Sequence, residues 1–182
     1  MKITLTTDEM LAQWKLRRGF APLRANCVIE RSDGVDLDAI LRLEMRDWYL
    51  NLLDNAPIEM LAPSDIKDSI AIIKQYDGSG VVTLPENCRR VVEFQLKGWR
   101  QPAKIITDLN SHEAMLQTNK YSRAKSQSPI VVKHHNKLLI YSLPNDDNPT
   151  IERALAILEP ADGSYTLDER GMNLIRNEYS VS

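Results

Sequence analysis

The sequence predicts an α+β fold, with N-terminal helices and a short C-terminal helix packed with a central antiparallel β-sheet or small sandwich. Three observations carry this. Gly80 to Trp99 holds two extended runs joined at Pro85, and residues 36–52 repeat apolar side chains at helical spacing. Further on, Ile130-Val131-Val132-Lys133 and Leu138-Leu139-Ile140-Tyr141 flank Asn136-Lys137 in a hairpin pattern.

Taken in order, Thr6 and Glu9 have the spacing of a capping box, and Met10, Leu11 and Trp14 follow on one face, so a first short helix should end near Gly19. The pattern weakens from Phe20 to Arg31, and Ser32-Asp33-Gly34 has the composition of a turn. Asp36 can then cap a longer helix whose apolar stripe is Leu37, Ile40, Leu41, Met45, Trp48 and Leu52. Its other face carries Asp38, Arg42, Glu44 and Arg46. Trp14 and Trp48 are expected as core residues on their helix faces.

Pro57 and Pro63 mark the exit from this helix. Residues 65–76 suit either period, and the preferred reading is a strand from about Ser69, paired through Asp77-Gly78-Ser79-Gly80 with Val81 to Leu84. Pro85 stops or bends that strand because it lacks an N–H for the ladder. Arg90 to Trp99 resumes as a half-buried strand, with Val91, Glu93, Gln95 and Lys97 opposite Val92, Phe94 and Leu96. Ala103 to Thr107, a short helix over Ser111 to Thr118, a strand over Ile151 to Leu158, a turn at Asp162-Gly163 and a closing helix over Leu167 to Ile175 complete the chain. Repeats and linkers are absent from the sequence, so one compact unit is expected: mainly helical over 1–62, β-rich over 63–160 and helical again over 161–182.

A chain of 182 residues can bury roughly 70% of its unfolded surface and folds without covalent staples. Cys27 and Cys88 belong to no Cys-x-x-Cys pair and are expected as buried thiols in a reducing compartment. Acids follow the short opening run, and no stretch of about 18 apolar residues occurs, so neither a signal peptide nor a membrane span is expected.

The net charge of −2 argues against bulk electrostatic wrapping of nucleic acid, but the charge is unevenly placed. Lys120, Arg123, Lys125, Lys133 and Lys137 fall in a stretch without an acid, whereas residues 145–182 carry eight acids against three arginines. The basic stretch can meet phosphates, an acidic protein surface or solvent alone.

No cluster of side chains in the sequence marks a catalytic, cofactor or metal site. His134-His135 lies on a strand, where neighbours point to opposite faces, which argues against joint ligation of one ion. Ser64-Asp65-Ile66-Lys67 and Ser122-Arg123-Ala124-Lys125 match Ser-x-x-Lys without the companion motifs of that enzyme class. Gly78-Ser79-Gly80 lacks the lysine of a phosphate loop and reads as a hairpin turn. Trp99, at a strand end beside Arg100, suits either an interface or the core.

The Trp48 helix, Asp65-Ile66, Gly80-Val81-Val82-Thr83-Leu84-Pro85, Arg90-Val91-Val92-Glu93-Phe94 running to Trp99, and the Pro129 to Tyr141 hairpin together resemble the head–tail adaptor proteins of short-tailed bacteriophages. These connector ring proteins include the tail tubular protein A type and the neck ring proteins of crAss-like phages. The resemblance spans roughly residues 36–158. Glu86-Asn87-Cys88 departs from it where an aspartate and a large apolar residue would be expected.

The resemblance implies a non-enzymatic virion protein without cofactors. About a dozen copies would form a ring around the DNA channel, the helical part docking on the portal and the β-rich part forming the next layer beside other neck or tail proteins. Synthesis in the host cytoplasm and no membrane contact go with it. Under this reading Lys120, Arg123 and Lys125 meet Asp146, Asp147 or Asp168 of the next copy while Trp99 anchors nearby; alternatively the cations touch DNA in the channel. Two other classes stay open: a monomeric bacterial binding domain or enzyme, and a nucleic-acid-binding module. The basic stretch offers the latter only Tyr121 for stacking.

Overall fold

The structure, a computed structural model, describes residues 2–19, 36–144, 148–161 and 163–176. The chain is α+β. It forms two compact units: residues 1–62 with 159–182, and residues 63–158. The expected single unit is thus replaced by two, because both ends of the sequence fold together and the β-rich segment closes its own core between them.

In the terminal unit a strand β1 (Lys2–Thr6) leads into helix α1 (Thr7–Arg17). Thr6 and Glu9 make the predicted capping box: the Thr6 N–H donates to the Glu9 carboxylate at 2.8 Å and the Glu9 N–H to the Thr6 hydroxyl at 3.3 Å. Helix α2 (Leu37–Asn55) is capped by Asp36, which accepts from the Ala39 N–H at 3.1 Å. Its buried stripe is Leu41, Met45, Tyr49 and Leu53. The expected stripe was rotated from this one: Ile40 is 49% exposed, whereas Tyr49 is fully buried. Trp48 does meet Trp14, ring centroids 5.3 Å apart, and the Arg17 guanidinium lies 4.8 Å from each ring centre.

Two elements of this unit differ from expectation. Strand β10 (Ser164–Asp168) pairs antiparallel with β1, and only then does helix α4 (Glu169–Arg176) begin. Leu167 and Asp168 therefore belong to a strand, although Leu167 continues the helical spacing toward Ile175. Tyr49 bridges α2 to this ribbon: its hydroxyl donates to the Thr166 carbonyl and accepts from the Thr166 N–H, both at 2.9 Å. Burial pushes the Tyr49 phenol up to about 12, so it stays protonated and keeps both bonds. Helix α4 packs closely on the turn at Ile58–Met60, where a Cβ on Gly171 would stand 2.5 Å from the Met60 carbonyl oxygen.

The second unit contains two sheets. Its smaller sheet runs in the order β2 (Ser64–Asp65), β9 (Ile151–Leu158), β5 (Cys88–Leu96). The larger has the order β3 (Ile72–Lys74), β4 (Gly80–Thr83), β8 (Lys137–Ile140), β7 (Ile130–His134), β6 (Lys104–Ile106). Every pair is antiparallel, as expected for the central sheet or small sandwich, except β6 with β7, which is parallel. The connection over residues 107–129, with helix α3 (His112–Thr118) in it, supplies the long crossover that a parallel pair requires.

One core cluster draws on both sheets, with Val82, Leu138 and Ile140 from one and Phe94, Leu96, Ala154 and Ala156 from the other. Strand β5 does not alternate as expected. Its register against β9 slips between Val91 and Glu93, so Val91 and Phe94 both turn inward at a spacing of three. Ala154 lies opposite Phe94, and the small side chain leaves room for that ring.

Candidate functional site

The longest irregular segment of the β-rich unit, residues 119–129, carries three of the cations singled out in the sequence, and its backbone is tied down at several points. Buried Gln117, the penultimate residue of α3, accepts from the Ala124 N–H at 2.9 Å and donates to the Glu113 carbonyl at 3.0 Å. The Ser142 hydroxyl donates to the Ala124 carbonyl at 2.6 Å, and the indole N–H of Trp99 donates to the Ser142 carbonyl at 2.8 Å. Further bonds run from the Arg100 N–H to the Ser126 carbonyl and from the Ser122 hydroxyl to the Leu116 carbonyl. A plain solvated loop would be held only at its ends; this one is a framed surface.

Arg123 locks the segment to the β3–β4 hairpin. Its Nε donates to the Gln117 carbonyl at 3.0 Å, Nη1 to the Asp77 carbonyl at 3.0 Å, and Nη2 to the Asp77 carboxylate at 2.7 Å. The guanidinium also lies 5.4 Å from the centre of the Tyr141 ring. Asp77 accepts from the Ser79 hydroxyl at 2.6 Å and the Ser79 N–H at 3.0 Å, and Gly78 between them has a φ of +78°. The Asp77-Gly78-Ser79-Gly80 stretch is therefore the predicted hairpin turn, with the aspartate closing it.

These contacts leave an open cleft of about 790 Å³ inside the β-rich unit. Tyr76 and Tyr121 line it with rings that are fully exposed, at 112% and 96% of their reference surface. Half-buried Tyr141, Arg123 and the exposed Lys120 and Lys125 complete the wall. Lys120, Arg123 and Lys125 against Asp77 leave a net positive surface. Burial raises the Tyr141 phenol and Arg123 partly opposes this, so the hydroxyl remains a hydrogen-bond donor at neutral pH.

The Asp77 carboxyl is held down at about 2 from the ordinary 3.8, by the Ser79 hydroxyl first, then the Ser79 N–H and then Arg123. The folded value lies below the unfolded one, so this anchor contributes in full above about pH 4 and is lost as the pH falls toward 2. The Asp77 carboxyl carbon, followed by NMR, should titrate near 2 and the Ser79 amide should lose exchange protection over the same window. A midpoint at 3.8 would show that the bonds do not hold the carboxylate.

The sequence-derived candidates fare differently. Lys120 and Lys125 share the cleft. Arg123 shares it too, with Nε, Nη1 and Nη2 each donating within the chain, to Gln117 and Asp77. Trp99 is corrected from interface to core: it is 4% exposed and packs edge-on against Phe94 with ring centroids 6.0 Å apart. Asp168 ends β10 in the other unit. Asp146, Asp147, Cys27 and the predicted turn at Ser32-Asp33-Gly34 lie outside the described residues, as does Asp162. Cys88 is a free, half-buried thiol whose pKa is raised by burial.

The histidine pair also differs from expectation. Strand β7 ends at His134 and His135 takes a φ of +53°, so the rings come to 4.4 Å centre to centre instead of pointing apart. Among the described residues no three His, Cys, Asp or Glu side chains converge as a metal site. Tyr76, Asp77 and Tyr141 were missed as cleft residues. The one available signal was Tyr76 at the tip of a predicted hairpin. No family model matches the chain, and no curated protein matches it.

Proposed function

We propose that the chain is a structural subunit of a bacteriophage head–tail connector, forming an oligomeric ring that joins the portal to the tail around the DNA channel. The observation that carries this reading is the division into a helical unit built from both ends of the sequence and a β-rich unit built from the segment between them. A subunit that meets different neighbours in successive rings must carry unlike surfaces, and two units with separate cores offer two such surfaces. The order of elements from α2 through the β5 strand to the β7–β8 hairpin supports the resemblance to adaptor proteins.

On this reading the helical unit docks on the portal ring and the β-rich unit forms the next layer, beside further neck or tail proteins. The contact between copies is heterologous, so each copy presents two different flanks to its neighbours. The role is assembly and not catalysis, and the working location is the virion. Electron microscopy of the protein with the portal protein encoded near it should reveal an added ring of about a dozen copies. Portal particles without added density, under conditions where both proteins are folded, would overturn the proposal.

A further inference from the structure

We propose that the cleft between the β3–β4 hairpin and the 119–129 segment is a binding site for unpaired nucleic-acid bases with their phosphates, that is, a short single-stranded segment. The inference rests on the cleft alone and not on the ring assignment. Tyr76 and Tyr121 expose essentially their whole rings on the same cleft as Lys120 and Lys125. An exposed aromatic ring beside cations is the arrangement in which a base stacks while its phosphates are neutralised. Lysines are depleted at protein–protein interfaces, whereas nucleic-acid surfaces concentrate them, and this favours a polynucleotide over an acidic protein segment.

The stacking faces select single strands. The exposed rings at this open cleft offer faces on which unpaired bases can stack, whereas in a duplex the base faces are already stacked on one another. Arg123 serves this site as a positioning residue: it fixes Asp77, and with it the hairpin that carries Tyr76, to the segment that carries Tyr121 and the lysines. The frame beneath is rigid through Gln117, Ser142 and Trp99. The tyrosines are thus presented by a preformed surface, which limits the ordering cost of binding.

The test is fluorescence anisotropy of the full chain with a labelled oligothymidylate, across a salt series, beside the same length of duplex and a poly-glutamate peptide. The single strand should bind, and Tyr121→Ala and Tyr76→Ala should each weaken it on the order of tenfold while Tyr121→Phe and Tyr76→Phe retain it. Lys120→Gln and Lys125→Gln should each flatten the slope of log affinity against log salt by about 0.7. All six variants change one of four exposed side chains, and unchanged melting of each variant verifies the fold. Absence of binding, or binding indifferent to both tyrosines, overturns the proposal. Equal affinity for duplex would reduce the cleft to a charge patch, and tighter binding of poly-glutamate would assign it to an acidic partner such as a neighbouring copy; either result overturns it as well.

Discussion

Replacing Trp99 by alanine is expected to destabilise the β-rich unit by about 3–5 kcal/mol. The indole is 4% exposed, meets Phe94 edge-on, and lies in the cluster that joins the two sheets of that unit. Its N–H bond to the Ser142 carbonyl also supports the 119–129 segment, so truncation would loosen the floor of the cleft as well as open a cavity. Denaturant unfolding with amide exchange read over residues 63–158 measures the effect. Trp99→Phe keeps one aromatic ring while removing the N–H donor and the smaller ring of the indole, so it should cost less than Trp99→Ala but at least the about 1–3 kcal/mol of the carbonyl left behind. Unchanged stability in Trp99→Ala would return the residue to the surface and to an assembly role.

A second large effect is expected in the other unit. Tyr49→Ala should cost about 3–5 kcal/mol, because a fully buried ring packed 4.9 Å from Tyr165 is lost together with two hydrogen bonds. Tyr49→Phe isolates the hydroxyl. It leaves the Thr166 N–H and carbonyl without their side-chain partner and should cost about 1–3 kcal/mol. The diagnostic readout is local: amide exchange along β1 and β10 should accelerate in Tyr49→Phe while the β-rich unit is unaffected. A two-stranded ribbon is marginal by itself, and this one depends on the helix that bonds its edge. Equal protection in wild type and Tyr49→Phe would mean that packing alone holds the ribbon.

Both residues were visible in the sequence, and neither was assigned its role there. Trp99 sits after a glycine at a strand end, a position compatible with core or rim. Whether Ser142 comes within reach of its N–H depends on how the chain returns 43 positions later. By spacing alone Trp48 and Leu52 continue the stripe of Leu41 and Met45 as well as Tyr49 and Leu53 do. The true stripe is rotated because Tyr49 has a partner at Thr166, 117 positions away. The hydroxyl that lowers a tyrosine's apolar score is the group that makes it useful when buried.

The same distinction applies to the candidate site. Lys120, Arg123 and Lys125 were conspicuous as cations without nearby acids. Asp77 and Tyr76 belong to a hairpin some 46 positions earlier, and only folding converts Arg123 from a free charge into the tie between the two segments. The sequence offered a single aromatic, Tyr121, for stacking; folding brings Tyr76 and Tyr141 to the same cleft.

By itself the sequence determined the α+β class, the caps at Thr6 and Asp36, the glycine hairpin turn after Tyr76 and the β7–β8 hairpin. Each of these depends on groups only a few positions apart, so local hydrogen bonds and side-chain period suffice to specify it. Tertiary structure decided the β1–β10 pairing, the slip in β5 that turns both Val91 and Phe94 inward, the parallel β6–β7 pair, the burial of Trp99 and the assembly of the cleft. Those features join segments that meet only after long loops close, and a strand's partner and register are set by which other surface offers the complementary packing and hydrogen bonds.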